Sequence, residues 1–315
     1  MAIKIIMSVA MLFLMMLPGV FIRKFKLAGE DFGKGVSNLI LFIASPALVL
    51  YAYFRDFNGE IMKTAVWVFV FAMLAHTLFT VFAFLLFKGA RDDLRRVLRF
   101  AVVFANAGYM GMPLIEAALG PEAVLYASIY NISFNIFQWS LGVYIFENNS
   151  RLDIKRLLKK VLTHPCTIAA ALGLIIFSTS THVYIPEILK DAVAMLKNLV
   201  APLSMLVIGI RLAELDFKSL KDTLTDKYAY LCLFLRHLFM PFLVVLILKL
   251  LSLVLPISDT VIAVMAILSS TPAATATVMF PERYDGNARY ASKIVAISTL
   301  LSILTMPLII LISGV

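Results

Sequence analysis

Two stretches of the chain place helix-breaking and polar residues in the middle of membrane-length apolar segments: residues 104–113, FANAGYMGMP, and residues 269–277, SSTPAATAT. In hydrocarbon each unpaired backbone group costs several kcal/mol, so irregular backbone survives at membrane depth only where protein or an aqueous cavity covers it. A matched pair of such interruptions, one in each half of a chain, is the pattern that marks the binding site of a secondary transporter.

The chain around them is 62% hydrophobic and 15% charged over 315 residues, with a mean hydropathy of +0.95, against about 25% charged in soluble domains. Apolar runs leave no stretch able to fold as a water-soluble domain, so one polytopic membrane domain is expected. The net charge of +9 falls in short clusters between apolar runs, not in one stripe with interleaved aromatics. That argues for membrane topology and against nucleic acid as a partner. Cys166 and Cys232 lie inside expected helices and read as packing residues, which argues against a disulfide framework or a cysteine metal site. Lys4 precedes an apolar run to Ile22 with no small-residue cleavage site, the signature of a retained first helix.

Apolar windows of roughly 20 residues fall near 3–22, 36–54, 64–87, 100–119, 122–146, 163–181, 191–212, 228–252, 260–280 and 292–313. Most of the 28 basic residues sit after the odd-numbered windows, among them Arg23, Lys24, Arg95, Arg96, Arg151, Lys155, Arg211, Lys218, Lys221 and Arg283. The opposite side carries only Lys4, Arg55, Lys63, Lys190 and Lys197. The positive-inside rule then puts these basic loops in the cytoplasm and both termini outside.

Ten windows divide into two sets of five, residues 1–150 and 151–315, and an odd number of crossings forces the second set to run inverted. IASPALVL, holding Pro46, resembles LVAPLSML, holding Pro202, and Pro113 and Pro272 correspond at nearly the same offset. The expected fold is therefore an all-α membrane bundle of two inverted five-helix repeats, with broken helices four and nine crossing at Pro113 and Pro272. Thr271–Pro272 has the form of an N-cap followed by proline at the first helical position, and Gly108, Gly111 and Pro113 permit a similar restart. Two half-helix N-termini converging near the midplane attract an anion such as a carboxylate. Asn106, Thr271, Thr275 and Thr277 supply neutral donors and acceptors beside the breaks, or else satisfy the freed backbone. Asn131, Asn135 and Gln138, spaced i, i+4, i+7, share one face of the fifth helix, as site lining or as inter-helix hydrogen bonding.

Ionisable residues within spans are functional candidates. His76 near the centre of the third window, and Arg236 with His237 in the eighth, are candidates for ion or proton coupling. Either histidine could instead be a neutral, hydrogen-bonded core imidazole, and Arg236 could snorkel to the interface. Glu116 stabilises a helix start or the outer interface.

The segment from Asn106 to Pro113 resembles the Asn-x-x-x-x-Gly-x-Pro segment of the auxin efflux carrier family, which includes plant auxin carriers and bacterial permeases for malate, malonate and similar acids. Ser45-Pro46-Ala47, Phe146-Glu147, Ala201-Pro202, Pro241, Pro272 and Glu282-Arg283-Tyr284 follow in the family's order across essentially the whole chain. The resemblance implies a ten-helix, two-repeat fold, with helices one, two, six and seven as a scaffold that often forms a homodimer. Helices three to five and eight to ten would be a moving transport domain, with Asn106, Pro113 and Pro272 at the crossover. Two departures from the plant carriers stand out: only about residues 147–162 separate the halves, and His76 and Thr80 replace the acid and base of helix three. The short form is similar to the prokaryotic permeases. The reading is an inner-membrane secondary transporter of a small organic carboxylate anion, with an elevator-type movement and no cofactor, coupled to H⁺, to Na⁺ or to neither. A sodium-coupled, bile-acid-like organic anion symporter is the alternative. A membrane-embedded enzyme would need a paired-Asp motif or a zinc-type histidine pair at the cytoplasmic face, and a sensor an appended signalling domain; the sequence points to neither.

Overall fold

The computed structural model describes residues 2–29, 31–147, 154–180, 184–214, 223 and 225–314. The expected boundary at 150/151 and the basic residues Arg151, Lys218 and Lys221 lie outside the described residues. Among the described residues the fold is all helical; the extended pairing consists of one isolated bridge, Ala105 with Ala273.

Six helices are long and apolar enough to cross a bilayer: α1 (Ile3–Lys24), α2 (Phe32–Ala52), α3 (Gly59–Leu86), α9 (Glu187–Ala213), α10 (Lys227–Ser252) and α13 (Ala288–Ser313). A seventh span arises if the pair α7 (Ile154–Leu162) and α8 (Pro165–Ser178), bent by 66°, counts as one. Only 33% of the α1 window and 39% of the α2 and α3 windows are buried. Apolar side chains such as Met7, Leu74 and Leu85 are exposed along them, and a helix apolar on every side yet half uncovered requires lipid as its solvent.

The remaining elements are the interrupted ones. α4 (Asp92–Val103) and α5 (Met112–Leu119) occupy the fourth window, α6 (Pro121–Phe137) the fifth, and α11 (Asp259–Ser270) and α12 (Ala276–Arg283) the ninth. A 12-residue helix such as α4 or α11 reaches about 18 Å, well short of the roughly 30 Å hydrocarbon layer. These helices need no lipid-facing length because they are interior: every residue of α11 from Val261 to Ser270 is buried, as is most of α6. Gly120 alone links α5 to α6; its φ of 90° is open to glycine without strain, so the two helices are antiparallel neighbours.

Three helices widen into a π-turn directly before a proline. Ser45, Met112 and Met240 donate to the carbonyls of Ile40, Ala107 and Leu235, and each is followed by proline, at 46, 113 and 241. The proline ring clashes with the carbonyl four residues back and supplies no N–H, so the preceding turn opens to an i→i−5 bond. Pro113 therefore lies inside a continuous helix, whereas Pro272 lies in the break itself, and the two do not hold equivalent positions. The chain crosses at Ala105 and Ala273, before Pro113.

Candidate functional site

α4 ends at Val103 and α11 at Ser270, and the two breaks satisfy each other. Asn106 N–H donates to Pro272 O at 2.7 Å, and Ala274 N–H donates to Phe104 O at 2.9 Å. Thr271, held extended by the proline that follows it (φ −60°, ψ 153°), turns its hydroxyl back onto Leu268 O at 2.9 Å. It thus closes the end of α11 and caps no new helix. The second half-helix starts later than the Thr271–Pro272 pair predicts, at Ala276, because the carbonyl of Pro272 and the amide of Ala274 are committed to the other break. Ala273 N–H is taken by Ser298 Oγ of α13 at 2.8 Å. On the other strand the Asn106 carbonyl accepts from Met110 at 3.2 Å and Gly111 at 3.1 Å, opening the π-turn that leads into α5. Gly111 permits the close contact between these segments, since a Cβ there would lie 2.6 Å from Leu268 Cδ2.

Arg236, fully buried in α10, sits at the back of the crossing. Its Nη1 donates to Val102 O at 3.0 Å and its Nη2 to Ser269 O, carbonyls in the last turns of α4 and α11. His237 is bound at both ring nitrogens, Nε2 to Ser298 Oγ at 2.7 Å and Nδ1 to Thr305 Oγ1 at 3.0 Å. Thr305 Oγ1 gives its own hydrogen to Leu301 O at 3.1 Å, so it accepts from Nδ1, and Nε2 of the neutral ring accepts from Ser298 Oγ. His76 packs on Phe137 and Tyr130, with Nδ1 2.8 Å from Ala72 O and Nε2 without a partner.

In front of the crossing lies a cavity of about 200 Å³. Six of the expected site residues line it: Asn106, Gly108, Asn131, Asn135, Gln138 and Thr275. A second cavity of about 160 Å³ shares Asn106 and Thr275 and continues to Arg211, Glu214 and Ser292. Gly111, Thr271 and Pro272 do not line either cavity but shape the crossing, Pro113 sits beyond it within α5, and His76, Arg236 and His237 line neither cavity. Thr277 is buried, with its hydroxyl unpaired. Tyr109, Phe134, Trp139 and His164 also line the first cavity and were not singled out by sequence. Tyr109 lies within the interrupted motif itself, and Trp139 directly follows Gln138 of the amide stripe, so both had a signal; His164 had none. Among the described residues no cluster of three or more His, Cys, Asp or Glu could hold a metal ion. Chemically the cavity offers neutral amides, an apolar aromatic wall and the starts of two half-helices, whose Ala107, Thr277 and Val278 N–H groups are taken by the carbonyls of Ala105, Ala274 and Thr275.

A model of the family described as "Membrane transport protein" matches residues 4–310. The chain is 24% identical over 306 residues to an uncharacterized transporter of Methanothermobacter thermautotrophicus, covering 96% of each chain. It is 22% identical over 215 residues to an uncharacterized transporter of Methanocaldococcus jannaschii, covering 67% of this chain and 70% of the relative. With interrupted helices paired at its centre and a family match along nearly its whole length, the chain belongs to the membrane transport proteins of the auxin efflux carrier family.

Proposed function

We propose that the protein is a secondary carrier of a small organic carboxylate, bound in the cavity in front of the crossing. The observation that carries this reading is the convergence there of two half-helix starts with the amides of Asn106, Asn131, Asn135 and Gln138. Partial positive charge and neutral donors receive a carboxylate without a buried countercharge. The volume of about 200 Å³ lies below the range of roughly 300–1,000 Å³ typical of drug-sized ligands, which favours a small acid.

The chain crosses the inner membrane ten times, as inverted repeats 1–150 and 151–315, with both termini outside. Supporting the repeat, each broken segment opens with a 12-residue helix that ends in a short non-helical stretch, residues 104–106 and 271–275. The scaffold comprises helices one, two, six and seven (α1, α2, α7–α8 and α9), through which two copies dimerise, and the remaining helices move against it. Both cavities lie on that seam. Leu41, Ser45 and Cys166 face the amide stripe across the first, and Ile208 and Arg211 face Thr275 and Ser292 across the second.

The test is uptake into proteoliposomes of malate, malonate, lactate and indole-acetate under imposed pH and Na⁺ gradients. One of these acids shows saturable flux, and Asn106→Ala weakens its binding roughly 10- to 150-fold, the equivalent of one charge-assisted hydrogen bond of about 1.5–3 kcal/mol. Absence of saturable flux from folded protein refutes the carrier reading; wild-type affinity in Asn106→Ala refutes the site.

A further inference from the structure

Arg236 is a full positive charge buried at the centre of the bundle, and no ion pair among the described residues includes it. Its partners are instead Val102 O and Ser269 O, in the last turns of α4 and α11. A helix C-terminus carries about −0.5 elementary charge, so two of them meeting here amount to about one negative unit, which one guanidinium balances. In transporters with broken helices, half-helix C-terminal ends and unwound carbonyls of this kind coordinate Na⁺ or H⁺. A guanidinium keeps its charge throughout the physiological pH range and offers five donors in a rigid fork.

The geometry points to Arg236 as a tethered counter-cation: it fills, as part of the chain, the place between two half-helix C-termini that a free monovalent cation would otherwise occupy. Two consequences follow. The wild-type protein needs no Na⁺ at this place, and truncating Arg236 opens a latent monovalent-cation site. A second observation supports the latent site. Two polar atoms in the same interior are buried without a partner: the Tyr130 hydroxyl and His76 Nε2. The His76 and Tyr130 rings stand 5.2 Å apart, and both groups feel the Arg236 charge. With His76 Nδ1 donating to Ala72 O at 2.8 Å, Nε2 presents a bare lone pair. The space left by a shortened side chain is therefore bordered by the carbonyls of Val102 and Ser269, and the Tyr130 hydroxyl and His76 Nε2 are unpaired acceptors in the same interior. The transport half of the inference rests on the carrier reading above; the cation-site half does not.

The test is thermal unfolding of purified wild type, Arg236→Ala, Arg236→Met and Arg236→Lys in detergent. Each is measured in choline chloride, NaCl, KCl and millimolar guanidinium at constant ionic strength. Wild type melts at the same temperature in all four. Arg236→Ala melts lower and recovers saturably with Na⁺ or guanidinium. Arg236→Met, which fills the space without charge, melts lower and is not rescued, and Arg236→Lys retains most of the stability. Specific stabilisation of wild type by Na⁺, wild-type stability in Arg236→Met, or folded Arg236→Ala indifferent to every cation overturns the assignment. Should Arg236→Ala fail to fold, the Lys and Met variants decide: equal destabilisation of both also overturns it. Flux of the substrate found in the uptake panel, compared in Na⁺ and choline, then reads the transport half: equal wild-type rates support it, and dependence on Na⁺ refutes it. The melting experiment needs no substrate, so failure of the carrier reading leaves its result intact.

Discussion

Ser298→Ala tests the polar network that fixes the second break. The Ser298 hydroxyl, fully buried, accepts from Ala273 N–H at 2.8 Å and meets His237 Nε2 at 2.7 Å. His237 in turn reaches Thr305 Oγ1, whose hydroxyl donates to Leu301 O at 3.1 Å. Removing one oxygen orphans a backbone donor in the bridge strand and an imidazole acceptor together. Each buried orphan costs about 1–3 kcal/mol, whereas side-chain hydrogen bonds in membrane proteins average about 0.6 kcal/mol because the unfolded chain also finds partners. The Ala273 amide has no such escape, since its neighbours are fixed by the bridge to Phe104 and Asn106. The expected loss is therefore about 2–4 kcal/mol, towards the upper of these two scales. Denaturant titration in mixed micelles measures it, and a cycle with His237→Phe, which keeps the ring volume and removes both nitrogens, isolates the pair. The double variant loses less than the sum of the singles by ~1 kcal/mol or more. A Ser298→Ala protein within ~0.5 kcal/mol of wild type, or strict additivity in the cycle, refutes the network as the support of the break.

Gly209→Leu abolishes the folded, monodisperse protein on size exclusion, because any Cβ at Gly209 overlaps Met16 O and the reciprocal Cβ at Gly19 overlaps Leu206 O, forcing α1 and α9 apart. Gly33→Ala, whose Cβ would touch only Ile210 Cγ2 at 3.6 Å, stays folded; equal behaviour of the two variants refutes the close crossing. For topology, single-cysteine variants made after replacing Cys166 and Cys232 report sidedness. Val254→Cys, at a position 79% exposed, reacts with an impermeant maleimide in intact cells, and Lys155→Cys reacts only after permeabilisation; reaction of both from one side refutes the ten-crossing arrangement.

What the sequence makes legible is what local chemistry encodes. The two interruptions are visible because proline and glycine cannot propagate a helix, and the amide stripe is visible because helical periodicity puts Asn131, Asn135 and Gln138 on one face. All three line the cavity. Not legible is how one break pairs with the other. The amide of Asn106 finds the carbonyl of Pro272, and since every residue carries a carbonyl, nothing in the local sequence names that partner. The same holds for Arg236, whose acceptor Val102 O lies 134 residues away. A search for an acidic partner along the sequence finds none, because the compensating charge comes from helix ends. The restart at Ala276 in place of Pro272 is another tertiary override: an N-cap signal yields when its backbone groups are claimed from across the bundle.

The two faces of the crossing then divide the electrostatic work. At the back, the helix C-termini are closed by a guanidinium; at the front, the half-helix starts and neutral side chains border a first cavity whose walls, among the described residues, carry no Lys, Arg, Asp or Glu. For a carrier that division matters, because a ligand that must be released on the far side cannot be held too tightly. A guanidinium in direct contact at 4 Å would add about 4 kcal/mol of attraction at an effective dielectric of 20, close to three powers of ten in affinity. Keeping Arg236 behind the backbone bridge neutralises the C-terminal ends without spending that attraction on the ligand. Partial charges and amides bind an anion more weakly but also more geometrically, through direction rather than net charge. On the carrier reading proposed above, selectivity follows from the placement of Asn106, Asn135 and Gln138 against the apolar wall of Phe134 and Trp139, and substitutions among these five residues should change which ligand is carried before they change whether any is.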